Sequence, residues 1–208
     1  MFTMAILESD KFAVKGLTDY FCSPTIGIST FGNLSLLSTA LNHGGFDVVI
    51  MELVTHDDNF YDCVDFARHF SKNHPETKLI IYTRFTDKVL MQFVAHHITK
   101  GHILFKHDSL RLLASYIFLN DNYNLFHSSS DIKVLKYIAS ESTLISLIEW
   151  NTLRHLAKGL PLTSISREIN VSVKTISQRR KSLMTKMACK NSVSFYLKLI
   201  NSGVVHIS

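Results

Sequence analysis

A chain of 208 residues with a formal charge of +5, 46% hydrophobic residues, eight glycines and three prolines can bury one large core or two small ones. That composition excludes a disordered or collagen-like protein, and three scattered cysteines, Cys22, Cys63 and Cys189, exclude a disulfide framework and fit a reducing compartment. The opening MFTMAILESD meets Glu8 and Asp10 too soon for a signal peptide, and no run approaches the roughly 18 apolar residues of a membrane helix, so a cytoplasmic protein without membrane contact is expected.

Charge is unevenly spread. Residues 1–130 carry ten Lys and Arg against thirteen Asp and Glu, a net −3, whereas residues 131–208 carry twelve against four, a net +8. An acidic front and a basic back predict two modules, the second facing a polyanion.

In the front module, apolar runs at 4–7, 27–31, 48–51, 79–82 and 102–105 read as strands. Helical stripes fall between and after them. Ala13, Leu17 and Phe21 form the first, and Leu34, Leu37 and Leu41 the second. Cys63, Phe66, Ala67 and Phe70 follow, then Leu90, Phe93 and Val94, then Leu112, Leu113, Tyr116 and Ile117. Five strand–helix units predict an α/β doubly wound parallel sheet with helices on both faces, and in the order 2-1-3-4-5 polar groups at the ends of strands 1 and 3 meet beside the switch point. Asp10, Glu52, Thr83 and Lys106 then fall at the carboxyl ends of strands 1, 3, 4 and 5, on one edge of the sheet. Eight histidines precede residue 120, yet none pairs with a cysteine at a zinc-like spacing, so no metal or other cofactor is expected.

Those four positions carry a resemblance. Residues 1–121 resemble the receiver domain of two-component response regulators. In that family an acidic pair after strand 1 holds Mg²⁺, an Asp ending strand 3 accepts a phosphoryl group, and a Thr or Ser and a Lys contact it. Thr83 and Lys106 match. The acidic pair aligns with Ser9 and Asp10, so one acid is missing, although Glu8 stands next to it; the acceptor position holds Glu52. An extra methylene displaces the carboxylate by about 1.5 Å, a scale at which misplacement costs about a hundredfold. Loss of an acidic ligand also weakens a Mg²⁺ site. The resemblance therefore implies a degenerate receiver. Glu52 either forms an ion pair with Lys106 that merely holds the sheet edge, or mimics the phosphorylated state, or is itself modified.

Residues 122–144 are polar and turn-rich at their start and read as a joint, with a short helix at IKVLKYIASES. Beyond it, a helix over about 149–158 has Trp150, Leu153, Leu156 and Ala157 on its core side, and Gly159 ends it. LTSISREI is a second helix, and Ser172 caps a third over about 173–187. There Val173, Ile176, Leu183 and Met187 make an inward stripe, interrupted by Arg180. Lys174, Gln178, Lys181 and Thr185 form one outward row, with Thr175, Arg179, Ser182 and Lys186 beside it. No acid follows Glu168, so this helix suits phosphates and base edges. A last helix after residue 191 supplies Val193, Phe195, Leu197 and Ile200.

The stretch GLPLTSISREINVSVKTISQRRKSLMTKM makes residues 145–208 resemble the LuxR-type helix-turn-helix. Glu149, Leu153, Gly159, Ile165, the Val173–Ser177 run and Lys186–Met187 carry the match; Ala188 stands where that family has Gly. The resemblance places the third helix in the major groove and implicates Lys174, Thr175, Gln178, Arg179 and Lys181. A receiver followed by this domain resembles the NarL/FixJ response regulators, most of all the RcsB-like branch with its atypical, phosphorylation-independent members. It implies a sequence-specific transcriptional regulator of double-stranded DNA, acting as a homodimer or as a heterodimer with a RcsB-like regulator. A module that modulates another regulator without touching DNA, and a conventional phospho-switch, are the alternatives. No nucleophile–base pair, phosphate loop or zinc ligand set is found, so an enzyme is not expected.

Overall fold

The computed structural model describes residues 1–98, 101–119 and 144–201. The expected joint at 122–144, with its short helix, lies outside the described residues but for Leu144.

The first domain alternates strand and helix: β1 (Phe2–Leu7), α1 (Lys11–Phe21), β2 (Ile26–Phe31), α2 (Leu34–His43), β3 (Val48–Met51), α3 (Phe60–Asn73), β4 (Lys78–Thr83), α4 (Lys88–His97), β5 (His102–Phe105) and α5 (Leu110–Phe118). All strand pairs are parallel, in the order β2-β1-β3-β4-β5 expected from the sequence. Each helix starts where an Asp, Asn or Ser side chain accepts a free N–H of its first turn: Asp10, Asn33, Asn59, Asp87 and Ser109.

Strand residues alternate between two buried faces. Met4, Ile6, Val48, Ile50, Ile80, Tyr82 and Leu104 pack with Leu17 and Phe21 of α1 and Leu113 and Ile117 of α5. Ala5, Leu7, Val49, Met51, Leu79, Ile81 and Ile103 face the other way, against α2, α3 and α4. Burial on both faces is why these strands read as continuous apolar runs.

The second domain comprises α6 (Leu147–Ala157), α7 (Leu162–Glu168), α8 (Val173–Lys186) and α9 (Ser192–Asn201). Leu153, Leu156, Ile165, Ile176, Leu183, Met187, Phe195 and Leu199 form its interior. Trp150 is buried as expected, but its ring neighbours are Phe60, Tyr61 and Phe93 of the first domain. Val173, expected inside, is 41% exposed. It is the first residue of α8, and a helical side chain leans toward the N-terminus, here past the end of the bundle.

α7 and α8 both end in a left-handed residue. Asn170 has φ 52° and Ala188 φ 54°. After α7, Val171 N–H reaches Ser166 O at 3.0 Å; after α8, Cys189 N–H reaches Met184 O at 2.8 Å and Ala188 N–H reaches Thr185 O at 3.0 Å. These are Schellman closures. Asn tolerates this conformation, whereas Ala strains against its own Cβ. The turn at Ala188 therefore keeps the glycine geometry without the glycine. Ala188→Gly is expected to stabilise the protein by about 0.5–1 kcal/mol, measured as a raised urea midpoint with an unchanged slope.

Candidate functional site

At the carboxyl edge of the sheet, Glu52 follows β3 and is 2% exposed. Its N–H continues the ladder to Leu7 O at 3.0 Å, which fixes the carboxylate over the strand ends. Both of its oxygens are engaged. Oε1 accepts the Thr83 hydroxyl and the Leu53 N–H at 2.7 Å. Oε2 accepts the Arg84 N–H at 3.1 Å and lies 2.9 Å from the Lys106 ammonium. Lys106 also donates to Glu8, which is 5% exposed and whose other oxygen accepts the Asp10 N–H at 2.8 Å.

Burial works against the charge on Lys106, but Glu52 and Glu8 outweigh it and hold its pKa above the ordinary value. A raised lysine pKa contributes stability that is present below the unfolded-state value and lost only as pH rises through the folded one. The ion cluster is therefore intact at neutral pH.

Three of the four residues expected at this edge, Glu52, Thr83 and Lys106, do meet. Asp10 does not join them. Its carboxylate accepts Phe12 N–H at 2.9 Å and Ala13 N–H at 3.3 Å as the cap of α1. Those two amides hold its pKa below the usual value. Glu8 takes the place instead. Glu8 continues β1, its N–H bonding to Phe31 O at 2.9 Å, whereas Asp10 already belongs to the helix entry.

In the second domain, α8 shows its polar rows unequally. Lys174, Gln178, Lys181 and Thr185 are exposed. Thr175 is half-buried, its hydroxyl 2.8 Å from that of Ser172 at the cap. The second row, expected outside, turns toward α6. Arg179 donates to the Thr152 hydroxyl at 3.4 Å, Ser182 to Glu149 at 2.6 Å and Lys186 to Glu149 at 2.6 Å. Arg179 therefore belongs to the inner row and only half reaches solvent. Sequence spacing does not distinguish two neighbouring polar rows; the buried acid on α6 does.

Glu149, 8% exposed, is the residue that sets this orientation. It is the third residue of a capping box with Ser146, and it bonds Ser182 and Lys186 one turn apart. Burial opposes its charge, but Lys186, the Ser146 backbone and the two serine hydroxyls prevail and bring its pKa from 4.5 to about 2. The outcome is a helix held from behind, with one cationic row facing solvent.

Residues 144–199 match the family described as GerE, bacterial regulatory proteins of the luxR family. The transcriptional regulatory protein RcsB of Escherichia coli K12 is 24% identical over 150 residues, 71% of this chain and 69% of that protein; RcsB of Salmonella typhimurium LT2 gives the same figures. The fold is that of RcsB from Salmonella enterica serovar Typhimurium bound to promoter rprA with the phosphomimetic BeF3−: TM-score 0.70 at 19% identity, covering 96% of this chain and 99% of that one. A structure of the RcsB–DNA complex gives 0.64 at 18% identity, covering 98% of each chain. A receiver-like α/β domain followed by a LuxR-type helix-turn-helix defines a transcriptional regulator of the response-regulator class. The second domain of this chain is of the LuxR type.

Two substitutions probe these clusters. Lys106→Met leaves two buried carboxylates without their cation and is expected to cost about 3–5 kcal/mol at neutral pH. Urea denaturation of the variant beside the unsubstituted protein would measure the deficit. For Glu149 the folded pKa is depressed, so its contribution exists above pH 4.5 and disappears as pH falls through about 2. Glu149→Gln is expected to lose about 1–3 kcal/mol at pH 7 and almost nothing near the acid limit, the upper figure being discounted for solvent screening.

Proposed function

We propose that this chain is a cytoplasmic, sequence-specific regulator that reads double-stranded DNA with α8 and does not cycle through phosphorylation. Residues 1–121 act as a degenerate receiver for dimerisation or partner docking, residues 122–144 as the joint, and residues 145–208 as the DNA-binding domain. The observation that carries the reading is the exposed row Lys174, Gln178 and Lys181 on a helix that contains no acid, held in place by contacts on its other side.

A 14-residue helix is about 21 Å long and fits the major groove. The ammonium groups suit phosphates, and the Gln178 amide suits an adenine edge. Thr175, beside the Ser172 cap, lies where the helix N-terminus favours a phosphate. Arg179 serves as a brace to α6 whose free donors can reach the duplex. Two copies, or one copy with a RcsB-like partner, would set such helices into half-sites one turn apart, about 34 Å.

The receiver reading rests on the closed cluster. Glu52 already has the partners that a phosphoryl group would seek, Thr83 and Lys106. An added phosphoryl would need to displace them, and Glu8 is bound to the same lysine.

Gel-shift titration of the purified protein on a selected operator tests the first half. Gln178→Ala is expected to weaken binding by about 1–3 kcal/mol as loss of a base contact, and Lys181→Ala to weaken it across sequences and lower the salt slope by about 1 as loss of a phosphate contact. Unchanged affinity in both would overturn the assignment of this face. Incubation with acetyl phosphate and Mg²⁺, followed by intact mass measurement, is expected to give no adduct; stoichiometric phosphorylation would identify a conventional switch.

A further inference from the structure

The two edges of the sheet are finished differently. β5 is a short strand of four residues, whereas β2 has six. The register of β2 with β1 runs unbroken from Phe2↔Ile26 to Leu7↔Phe31, without a bulge. From Thr25 to Asn33 the chain holds no charged residue and no proline. Ser29 and Thr30 are exposed, so neither helix nor loop covers them. Natural sheet edges are blunted by lysine, proline, bulges or cover, because a bare edge recruits another strand. β2 has none of these.

The ladder decides which backbone groups of β2 are free. Thr25 O accepts the Phe2 N–H at 3.0 Å and Phe31 O accepts the Glu8 N–H at 2.9 Å, so both face β1. Strand residues repeat at every second position, which turns Gly27 and Ser29 inward too and leaves Ile26, Ile28 and Thr30 facing outward. The Ile26 N–H is engaged in the preceding turn by Ser23 O at 3.1 Å, but its carbonyl is not. The side chains of Ile26 and Ile28 lie on the α1 face of the sheet, half-buried.

This pattern is its own complement. Two antiparallel copies of β2 centred on Ile28 set Ile28 opposite itself and Ile26 opposite Thr30 of the second copy. Every pair then joins outward residues, the arrangement in which opposite residues exchange backbone bonds. Ile28 N–H and carbonyl bond across the axis, and Thr30 N–H meets the Ile26 carbonyl. The side chains brought together are all β-branched, a favourable cross-strand set. The same axis runs α1 antiparallel to its own copy on one side of the sheet. Lys15 and Asp19, an exposed pair 2.8 Å apart, line the groove between α1 and Gly32 at the end of β2. Their order reverses in the second copy, so acid faces base.

We propose that the open edge of β2 is a homodimer surface, where two copies of this chain join into one continuous sheet about a two-fold axis at Ile28. The inference rests on the dimerisation role proposed above and gives it a place in the fold. Trp150 of the second domain docks on Phe93 of α4, towards the opposite edge of the sheet, so pairing and docking do not compete.

Sedimentation velocity of the full chain over a range of loading concentrations tests the proposal. The unsubstituted protein is expected to show a concentration-dependent equilibrium between monomer and dimer. Thr30→Pro removes an outward N–H that the internal ladder does not use, and edge strands tolerate proline at such positions. It is expected to weaken the dimer about tenfold or more, because symmetry removes half of the intermolecular bonds at once. Far-ultraviolet circular dichroism should stay unchanged. Thr30→Lys, which sets a charge on the edge, is expected to act in the same direction and decides should Thr30→Pro fail to fold. A dimer of unchanged strength in the folded edge variants overturns this surface and leaves dimerisation through another face. A monomer at every concentration overturns both this surface and self-association.

Discussion

Lys106 follows β5, yet its ammonium meets Glu52 beyond β3 and Glu8 beyond β1, reaching across β4 to do so. Two nearly inaccessible carboxylates at adjacent strand ends repel each other and pay heavily for lost hydration. One cation between them turns that repulsion into a cross-brace over three strands. Thr83 and the amides of Leu53 and Arg84 satisfy the lone pairs that remain on Glu52. The loops after β3 and β4 take their shape from this arrangement, and with them the start of α3.

From that edge the order extends outward. Phe60 and Phe93 present an aromatic floor on α3 and α4, with Asp62 and Asp65 at its rim. Trp150 and Arg154 complete it from the second domain. Glu149, one residue before Trp150, faces the opposite way and grips Ser182 and Lys186 of α8. A single turn of α6 therefore touches the receiver-like domain on one side and the basic helix on the other. Neither contact involves the exposed row of α8.

Much of this was legible in the sequence because the signals are local. Strands buried on both faces leave apolar runs, and helix caps leave Asp, Asn or Ser at fixed places. The order of the sheet follows from the strand–helix alternation together with the resemblance. The misreadings share one cause, which is that long-range pairing decides among locally equal choices. Asp10 and Glu8 are both acids near the end of β1, and only the ladder bond of Glu8 to Phe31 shows which one stays with the sheet. Arg179, Ser182 and Lys186 repeat with the same period as Lys174, Gln178 and Lys181, and the distant Glu149 and Thr152 select the inner row. Trp150 carries no local mark that its partners lie some sixty to ninety residues earlier in the chain.

The division of α8 into an inner and an outer row also limits how the helix acts on a polyanion. Lys186 is already paired with Glu149, and Arg179 and Arg180 are only half exposed, which leaves Lys174 and Lys181 as its exposed cations. Each phosphate neutralised releases roughly 0.9 of a condensed counterion from B-form DNA. One copy of this helix alone would then displace only about two ions. A larger ionic-strength response must draw on charges beyond the helix, such as the exposed Lys158, Arg167 and Lys190, or on a second subunit.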